Sequence, residues 1–562
     1  MTKNSIVHSS IEIVQGISHV LEKKKIDQIV ISPGSRNAPL IIEFSKNSFF
    51  QTFSVVDERC AAFFALGMAQ KSNIPSVLVC TSGSAILNYY PAIAESFYQK
   101  TPLIVISADR PEILIDRGHG QTIRQKNVFY NHIAKSIHIP EVYSQEHYLM
   151  IDEIVNIAIE KEQPVHINLP FDEPLYKTTS KLCINPQSSN YKKKERVLDL
   201  KDLNQMREQW ERAASKIILI GQLTSKNPEL EREIDRISQD PSVIIFTETT
   251  SNIYGNNLFP SIDKIINTVN IETLNNLRPD ILLTLGGAVI SKKIKAFFIK
   301  NKPGEHWHIG HESTDTYFCL SKFIDTKAEL FFKNFRPKKN NNSNYFDFWN
   351  TIKIQRNLRH DKYLKKSVFS DLKALSCVLE AIPDNTCLHV GNSSIIRYVQ
   401  LFNIKRSLSV FCNRGTSGIE GSTSTAIGAA CVSKEDVSLI SGDISFFYDS
   451  NALWNNYVPC SFRLIVINNG GGGIFRILDE SKSLDSLELF FETKHNLTAK
   501  HLARMYNWNY LKAENTPELQ RQLSNFYQKS DSPCILEVFT PRLENAEVLK
   551  DYFDFLKYDK LS

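Results

Sequence analysis

The chain has 562 residues, 42% of them apolar and 23% charged, which suits about three separately cored domains. A net charge of +5 is small for that length and does not argue for nucleic acid, and no run approaches the roughly 18 apolar residues of a membrane span. The ten cysteines form no C-x-x-C pair or metal-ligand spacing and the N-terminus has no apolar leader, so a reduced, cytoplasmic setting is expected.

Residues 1–185 alternate helix and strand. Ile11 to Glu22 has helical spacing, and Gln28 to Ser32 reads as a buried strand ending in Pro33-Gly-Ser-Arg36. Phe53 to Val56 reads as the next strand, running into Asp57-Glu-Arg59 and an apolar helix from Cys60 to Ala69. Then come a strand at Ser76–Cys80, the turn Thr81-Ser-Gly-Ser84, a helix to about Gln99, and a strand from Leu103 to Ser107. This alternation predicts a doubly wound parallel sheet with its polar loops at one edge. The polar stretch Pro186 to Glu195, with Lys192-Lys-Lys194, reads as a solvated linker.

A second α/β domain is expected over 196–336. Its strands are Ile217–Gly221, Val243–Phe246 and Ile281–Gly286, and its helices Leu230–Ser238 and Lys292–Ile299. The pair Gly286-Gly287 falls short of a full G-x-G-x-x-G dinucleotide fingerprint. Pro337 to Ser343 forms a second linker, and residues 345–562 a third domain whose α/β pattern begins near residue 370. The predicted class is therefore α/β, with three doubly wound domains and mostly parallel sheets. No short internal repeat is visible, although the first and third domains are similar in kind.

The third domain carries the most informative stretch. A buried strand at Val437–Ile440 leads to Gly442-Asp443, and a second at Phe462–Ile467 leads to Asn468-Asn469 and four glycines. In open α/β sheets ligands sit at such carboxyl ends. Asp443, the amide oxygen of Asn469 and carbonyls in the glycine run are hard oxygen donors suited to Mg²⁺ bridging a phosphate. The alternative is that Asp443 and Asn469 only cap a helix and a turn. Glu58 likewise has two readings: a residue favoured by the helix N-terminal dipole, or a poorly solvated carboxyl group that shares a proton with a bound base. Cations also recur in loops at strand ends, at Arg36, Arg110, Lys292, Lys293, Arg397 and Arg414. Singly these suit surface ion pairs; together they suggest polyanionic substrates, because Arg grips carboxylates through two parallel bonds.

Gly442-Asp-Ile, followed by Asn468-Asn469, resembles the signature of thiamine-diphosphate enzymes, with Ile444 where Gly is commonest. The resemblance implies that Asp443, Asn469 and the backbone of Gly471 hold Mg²⁺, with Mn²⁺ as a substitute, and that Glu58 activates the aminopyrimidine. Further segments narrow the family: Ser32-Pro-Gly-Ser-Arg36-Asn-Ala-Pro-Leu40, Phe64-Ala-Leu-Gly67, Thr81-Ser-Gly-Ser-Ala85, Ser107-Ala-Asp-Arg-Pro111, Gly120-Gln-Thr-Ile-Arg-Gln125, Ser291-Lys-Lys293 and Asn413-Arg-Gly-Thr-Ser-Gly418. They resemble the 2-succinyl-5-enolpyruvyl-6-hydroxy-3-cyclohexene-1-carboxylate synthases of menaquinone biosynthesis. Such enzymes decarboxylate 2-oxoglutarate and add the succinyl-semialdehyde carbanion to isochorismate.

By that resemblance Glu58 and Gln121 are catalytic. Asn392, Ser393 and Ser445 lie near the diphosphate, and Ile474 and Phe475 beside the reacting carbons. Ser35, Arg36, Arg110, Lys292, Arg397 and Arg414 bind substrate. Gly120 and Lys293 depart from the family's common Asn and Arg, which bears on isochorismate binding. The resemblance also implies a homodimer or homotetramer with active sites between subunits. The alternatives are another thiamine-diphosphate 2-oxoacid carboligase or decarboxylase such as acetohydroxyacid synthase, a non-catalytic α/β binding protein, and a Rossmann oxidoreductase.

Overall fold

A computed structural model describes residues 7–182, 198–477 and 485–557. The expected first linker, 186–195, lies outside the described residues, as does the boundary between the first two domains. Three six-stranded sheets dominate, and every strand pairing inside them is parallel. Their interior strands are mostly apolar runs buried on both faces, as helices on both sides of a sheet require, while edge strands such as Gln51–Ser54 and Lys135–His138 are partly exposed.

The first sheet runs, from edge to edge, Gln51–Ser54, Gln28–Ile31, Ser76–Cys80, Leu103–Asp109, Val165–Pro170, Lys135–His138. The third runs Ser409–Phe411, Cys387–Val390, Val437–Gly442, Arg463–Asn468, Cys534–Phe539, Asn509–Ala513. Numbered along the chain within each sheet, both have the order 2-1-3-4-6-5. Each therefore has a switch point between its first and third strands, where a crevice opens at the carboxyl ends. The central sheet, with strands Lys216–Ile220, Val243–Thr247, Leu258–Phe259, Ile281–Leu285, Glu305–Gly310 and Leu320–Asp325, has the order 3-2-1-4-5-6 of dinucleotide-binding folds. Its crevice is closed by its own backbone. A Cβ on Gly221 would lie 2.2 Å from the Gly287 carbonyl oxygen, and the Gly287 N–H donates to the Gln222 carbonyl.

Two expected strands shift. The second begins at Gln51 and ends at Ser54 rather than spanning Phe53–Val56, because its pairing with Gln28–Ile31 fixes the register. The strand expected to stop at Ser107 continues through Asp109, paired with Val165–Pro170, so Asp109 is a buried strand residue.

Glycine sets how the first domain meets the third. Helix Glu58–Ser72 crosses helix Ser422–Val432 so closely that a Cβ on Gly67 would lie 1.8 Å from the Thr425 carbonyl oxygen. A Cβ on Gly428 would lie 1.9 Å from that of Phe64. Both helices join one apolar cluster with Phe63, Phe64, Ala426 and Ile427. The long helix Tyr345–Lys366 ties the central domain to the third: Trp349 sits in the central core, while Tyr363 packs with Tyr552.

Candidate active site

At the switch point of the third sheet, Asp443 opens the helix Asp443–Tyr448 and is buried. One carboxylate oxygen accepts the Ile444 N–H at 2.7 Å and the other the Gly471 N–H at 3.0 Å. His495 Nε2 stands 3.3 Å from the same carboxylate. Gly470 and Gly471, with φ of 74° and 150°, supply the turn that brings the second loop back to Asp443. Asn469 donates Nδ2–H to Asp371 at 3.0 Å, which leaves its Oδ1 buried with no hydrogen-bond partner. Asp371 is buried and also accepts from the Thr540 hydroxyl at 2.5 Å; burial pushes its carboxyl up to about 6. A buried, unpaired amide oxygen in the loop that returns to a buried carboxylate suits a hard divalent cation.

The neighbouring loop, Gly391–Ser393, contains Ser393 at φ 67°, a strained conformation for a side-chain-bearing residue. Asn392 donates to the carbonyls of Asn413 and Gly418, both at 2.6 Å, and accepts from Arg414 Nη1 at 3.0 Å. Its side chain thus shapes the Arg414 loop, while Ser445 ties Ile419 through a 2.7 Å bond to its carbonyl. Ile474 and Phe475 begin the helix Ile474–Ile477, and the Phe475 ring meets Phe491 at 5.6 Å. Glu492, buried and held by Arg476 and Arg542, fastens that cover.

The cations gather from two domains. Arg397 lies on helix Ser394–Val399, and burial followed by the nearby Arg414 charge lowers its pKa. Lys292 begins helix Lys292–Lys300, and both Lys292 and Lys293 are exposed. Lys295, one turn on, is lowered by burial and then by Arg414, with Arg397 and Lys292 also within range. The loop entering this helix is pinned by Glu248, which accepts the N–H groups of Ile290 at 2.6 Å and Ser291 at 2.8 Å. Burial pushes the Glu248 carboxyl up to about 7. Glu95, from the first domain, accepts from Gly415 N–H at 2.7 Å and Thr416 N–H at 2.6 Å, and so clamps the loop that bears Arg414.

In the first domain four loops meet over the sheet edge. Gly34 touches Thr81, and a Cβ there would lie 2.3 Å from that of Thr81. Gln125 accepts the Gly83 N–H at 2.8 Å and donates to the Ala108 carbonyl at 3.0 Å. Gln121, exposed and at φ 55°, sits over Gly83. Arg36 is buried, donates to the Phe171 carbonyl at 2.9 Å and pairs with Glu173 at 3.4 Å. Its pKa is lowered by burial and then by Arg110. The Nε atoms of Arg36, Arg110 and Arg414 are buried without partners. Ser35 is exposed beside this pair. Glu58 opens its helix, bonds only weakly to Asn88 at 3.4 Å, and is raised by burial.

The predicted residues therefore fall into three groups: Asp443, Asn469 and Gly471; Asn392, Arg397, Arg414 and Lys292; and Ser35, Arg36 and Arg110. Among the described residues, Glu58 and Gln121 hydrogen-bond to none of the first group. Sequence reading missed Asp371, Glu95, Glu248 and Lys295. The first three are isolated acids whose partners are distant in the chain, side chains for Asp371 and mainly backbone N–H groups for Glu95 and Glu248, and Lys295 carried only a helical spacing from Lys292.

Comparison with known proteins fits this geometry. Residues 11–128 match the family described as thiamine pyrophosphate enzyme, N-terminal TPP binding domain. A Flavobacterium johnsoniae 2-succinyl-5-enolpyruvyl-6-hydroxy-3-cyclohexene-1-carboxylate synthase is 47% identical over 550 residues, covering 98% of this chain and 99% of that one. The synthase of the same name from Flavobacterium psychrophilum is 48% identical over 552 residues, with the same coverage. That from Porphyromonas gingivalis is 37% identical over 569 residues, covering 97% of both chains. Among solved structures, a benzoylformate decarboxylase from Polynucleobacter necessarius shares the fold, with a TM-score of 0.70 at 15% identity over 94% of this chain and 98% of that one. These relatives favour the synthase over acetohydroxyacid synthase, a binding protein or an oxidoreductase. The chain belongs to the 2-succinyl-5-enolpyruvyl-6-hydroxy-3-cyclohexene-1-carboxylate synthase family of thiamine-diphosphate enzymes.

Proposed function

We propose that the chain decarboxylates 2-oxoglutarate and joins the remaining succinyl unit to isochorismate by 1,4-addition, as a step toward menaquinone. The observation that carries this reading is the gathering of Arg397, Arg414, Lys292 and Lys295 at the sheet edge that also presents Asp443 and the unpaired Asn469 oxygen. Thiamine diphosphate, when bound, supplies the carbon nucleophile and the electron sink of this chemistry. Asp443, Asn469 and the Gly471 backbone would hold Mg²⁺ or Mn²⁺ against its diphosphate, with Asn392, Ser393 and Ser445 lining that end.

Glu58 holds a proton at its carboxyl group more readily than an exposed acid, because it is partly desolvated. That suits it to share the proton with a pyrimidine nitrogen. Gln121, aimed outward from its strained position, would donate to the reacting oxygen. Ser35, Arg36, Arg110, Lys292, Arg397 and Arg414 would receive the substrate carboxylates, and Ile474 and Phe475 would keep water from the reacting carbons. Among the described residues Glu58 and Gln121 hydrogen-bond to none of Asp443, Asn469 and Gly471, which supports a dimer or tetramer in which one subunit's first domain completes another's third. No described helix is long and apolar enough to cross a membrane, and the described cysteines are free thiols, so we place the enzyme in the cytoplasm.

The test incubates purified protein, thiamine diphosphate and Mg²⁺ with 2-oxoglutarate and isochorismate, with one component omitted in each control. The expected product has the combined mass less CO₂ and requires all four components. Product from pyruvate but none from 2-oxoglutarate would overturn the reading.

A further inference from the structure

The central domain contains a second group of metal-ligating side chains, remote in the fold from the Asp443 loop. His306 Nδ1, an Asp315 carboxylate oxygen and Cys319 Sγ lie within 4.8 Å of one another. The His306 ring is buried, 1% exposed, on strand Glu305–Gly310. Asp315 and Cys319 lie on the turn that leads into strand Leu320–Asp325.

Hydrogen bonding fixes what His306 can offer. Its Nε2 lies 2.9 Å from Thr284 Oγ1, and the same hydroxyl lies 2.8 Å from His308 Nδ1. One hydroxyl proton serves only one of two ring nitrogens, so the other ring must donate to the oxygen. His306 Nδ1 has no hydrogen-bond partner, and its nearest carboxylate oxygen, on Asp315, is 3.8 Å away. Were Nδ1 to carry a proton, a buried N–H beside a carboxylate would close to about 2.8 Å. We therefore assign the proton to Nε2, donated to Thr284, which leaves the Nδ1 lone pair directed at Asp315 and Cys319. Metal-binding imidazoles have this arrangement, their far nitrogen donating to a fixed oxygen. The turn is also pre-shaped: the Cys319 N–H donates to Asp315 at 2.9 Å, Phe318 adopts φ 55°, and the Tyr317 ring packs edge-on against His306 at 5.3 Å. Lys302, which donates to the Phe318 carbonyl at 2.9 Å, is the cation nearest this turn.

We propose that His306, Asp315 and Cys319 bind a zinc-type divalent cation, with the fourth, solvent-facing position taken by water. One imidazole, one carboxylate and one thiolate suit Zn²⁺ or Co²⁺ and are poor ligands for Mg²⁺. Tetrahedral zinc holds such donors about 3.3 to 3.8 Å apart, so the turn needs to close by up to about 1 Å. On binding, Cys319 releases its thiol proton to solvent and no redox change occurs. The ion would pin the 311–319 loop to the sheet and, through Tyr317 and Phe298, to the helix that begins at Lys292.

The test titrates Co²⁺ into the full chain already loaded with thiamine diphosphate and Mg²⁺. Of the two cation sites, the proposed one has a cysteine ligand and the Asp443 site has none among the described residues, so occupancy is read from a near-ultraviolet thiolate-to-cobalt charge-transfer band. One equivalent per chain should produce the band, and Zn²⁺ should bleach it. Cys319→Ser should abolish it, while Cys460→Ser, at an exposed thiol, should retain it. Asp315→Asn, which keeps an oxygen to accept the Cys319 N–H, should weaken Co²⁺ binding by at least about 100-fold, and Thr284→Val by about 10- to 100-fold. No band in the wild-type chain, or a band that survives Cys319→Ser, would overturn the proposal.

Discussion

Asp371 offers a sharp test of how the proposed cation site is built. Asn469 can present either its oxygen or its NH₂ to the cation, and the 3.0 Å bond from Nδ2 to Asp371 selects the oxygen. Asp371→Ala removes that selection and also leaves the Thr540 hydroxyl, now bonded at 2.5 Å, without its acceptor. Loss of a partner that orients a metal ligand lowers metal affinity about 10- to 100-fold, equivalent to about 1.4 to 2.8 kcal/mol. Stranding a buried hydroxyl should destabilise the fold by a further ~1–3 kcal/mol. Asp371→Asn is the discriminating control. Its Oδ1 can still accept from Asn469, and the Thr540 hydroxyl can turn to accept from its NH₂, so cation affinity should stay within about threefold of wild type. The assay is Mn²⁺ titration followed by electron spin resonance with thiamine diphosphate present, with thermal unfolding of each variant measured in parallel. A folded Asp371→Ala protein that binds Mn²⁺ as tightly as wild type would refute the argument.

Mixing inactive Glu58→Gln and Asp443→Ala proteins, then allowing subunits to exchange, should restore about a quarter of wild-type sites if each site spans two subunits; no recovery would place each site within one chain. Glu248 is held at about 7, above its ordinary 4.5, so between those values the folded chain keeps a proton the unfolded chain has released. Its contribution to stability is therefore lost as pH rises through about 7, and urea midpoints of Glu248→Gln should show a flatter pH dependence there. Gly67→Ala places a methyl group 1.8 Å from the Thr425 carbonyl oxygen and should destabilise by at least ~1–3 kcal/mol, measured by thermal unfolding. Arg36→Lys should raise the apparent KM for isochorismate about tenfold and spare decarboxylation of 2-oxoglutarate assayed with an artificial electron acceptor; Arg397→Lys should show the reverse, since each loses the planar fork.

The sheets were legible because parallel strands buried on both faces appear as short apolar runs between polar loops, as at Ser76–Cys80 and Ile281–Leu285. Ends were less legible where pairing decides them. Asp109 looks like a loop residue beside Arg110 and Pro111, yet its backbone pairs with Pro170 in the neighbouring strand. Asp443 and Asn469 were visible because their spacing reflects one β-α-β unit. Asp371 was not, since it reaches Asn469 across 98 positions, and neither was Glu95, which reaches Thr416 across 321. Sequence spacing carries information only where the connecting element is local; these acids act through tertiary contact.

The placement of the acids explains why so many cations can stand together. Glu95 and Glu248 lie close to the Arg414 and Lys295 loops, yet their oxygens are taken up mainly by backbone N–H groups. They position the loops without forming ion pairs with the guanidinium groups. Burial then weighs on Arg36, Arg397 and Lys295, whose pKa values are all lowered, and repulsion adds to it, from Arg110 on Arg36 and from Arg414 on Arg397 and Lys295. Such a cluster is a standing electrostatic cost in the free enzyme, because the desolvated like charges are only partly offset by acids such as Glu173 and Glu248. On the proposed function, a substrate carrying carboxylates would supply further negative charge and offset the repulsion. A neutral or singly charged 2-oxoacid would compensate less of it, so preference for dicarboxylates follows from the charge balance of the loops. The central domain supplies Glu248, Lys292 and Lys295 to this balance although its own sheet crevice is closed by Gly221 and Gly287. On the proposed function, its contribution to the site is therefore electrostatic and made at its boundary with the third domain.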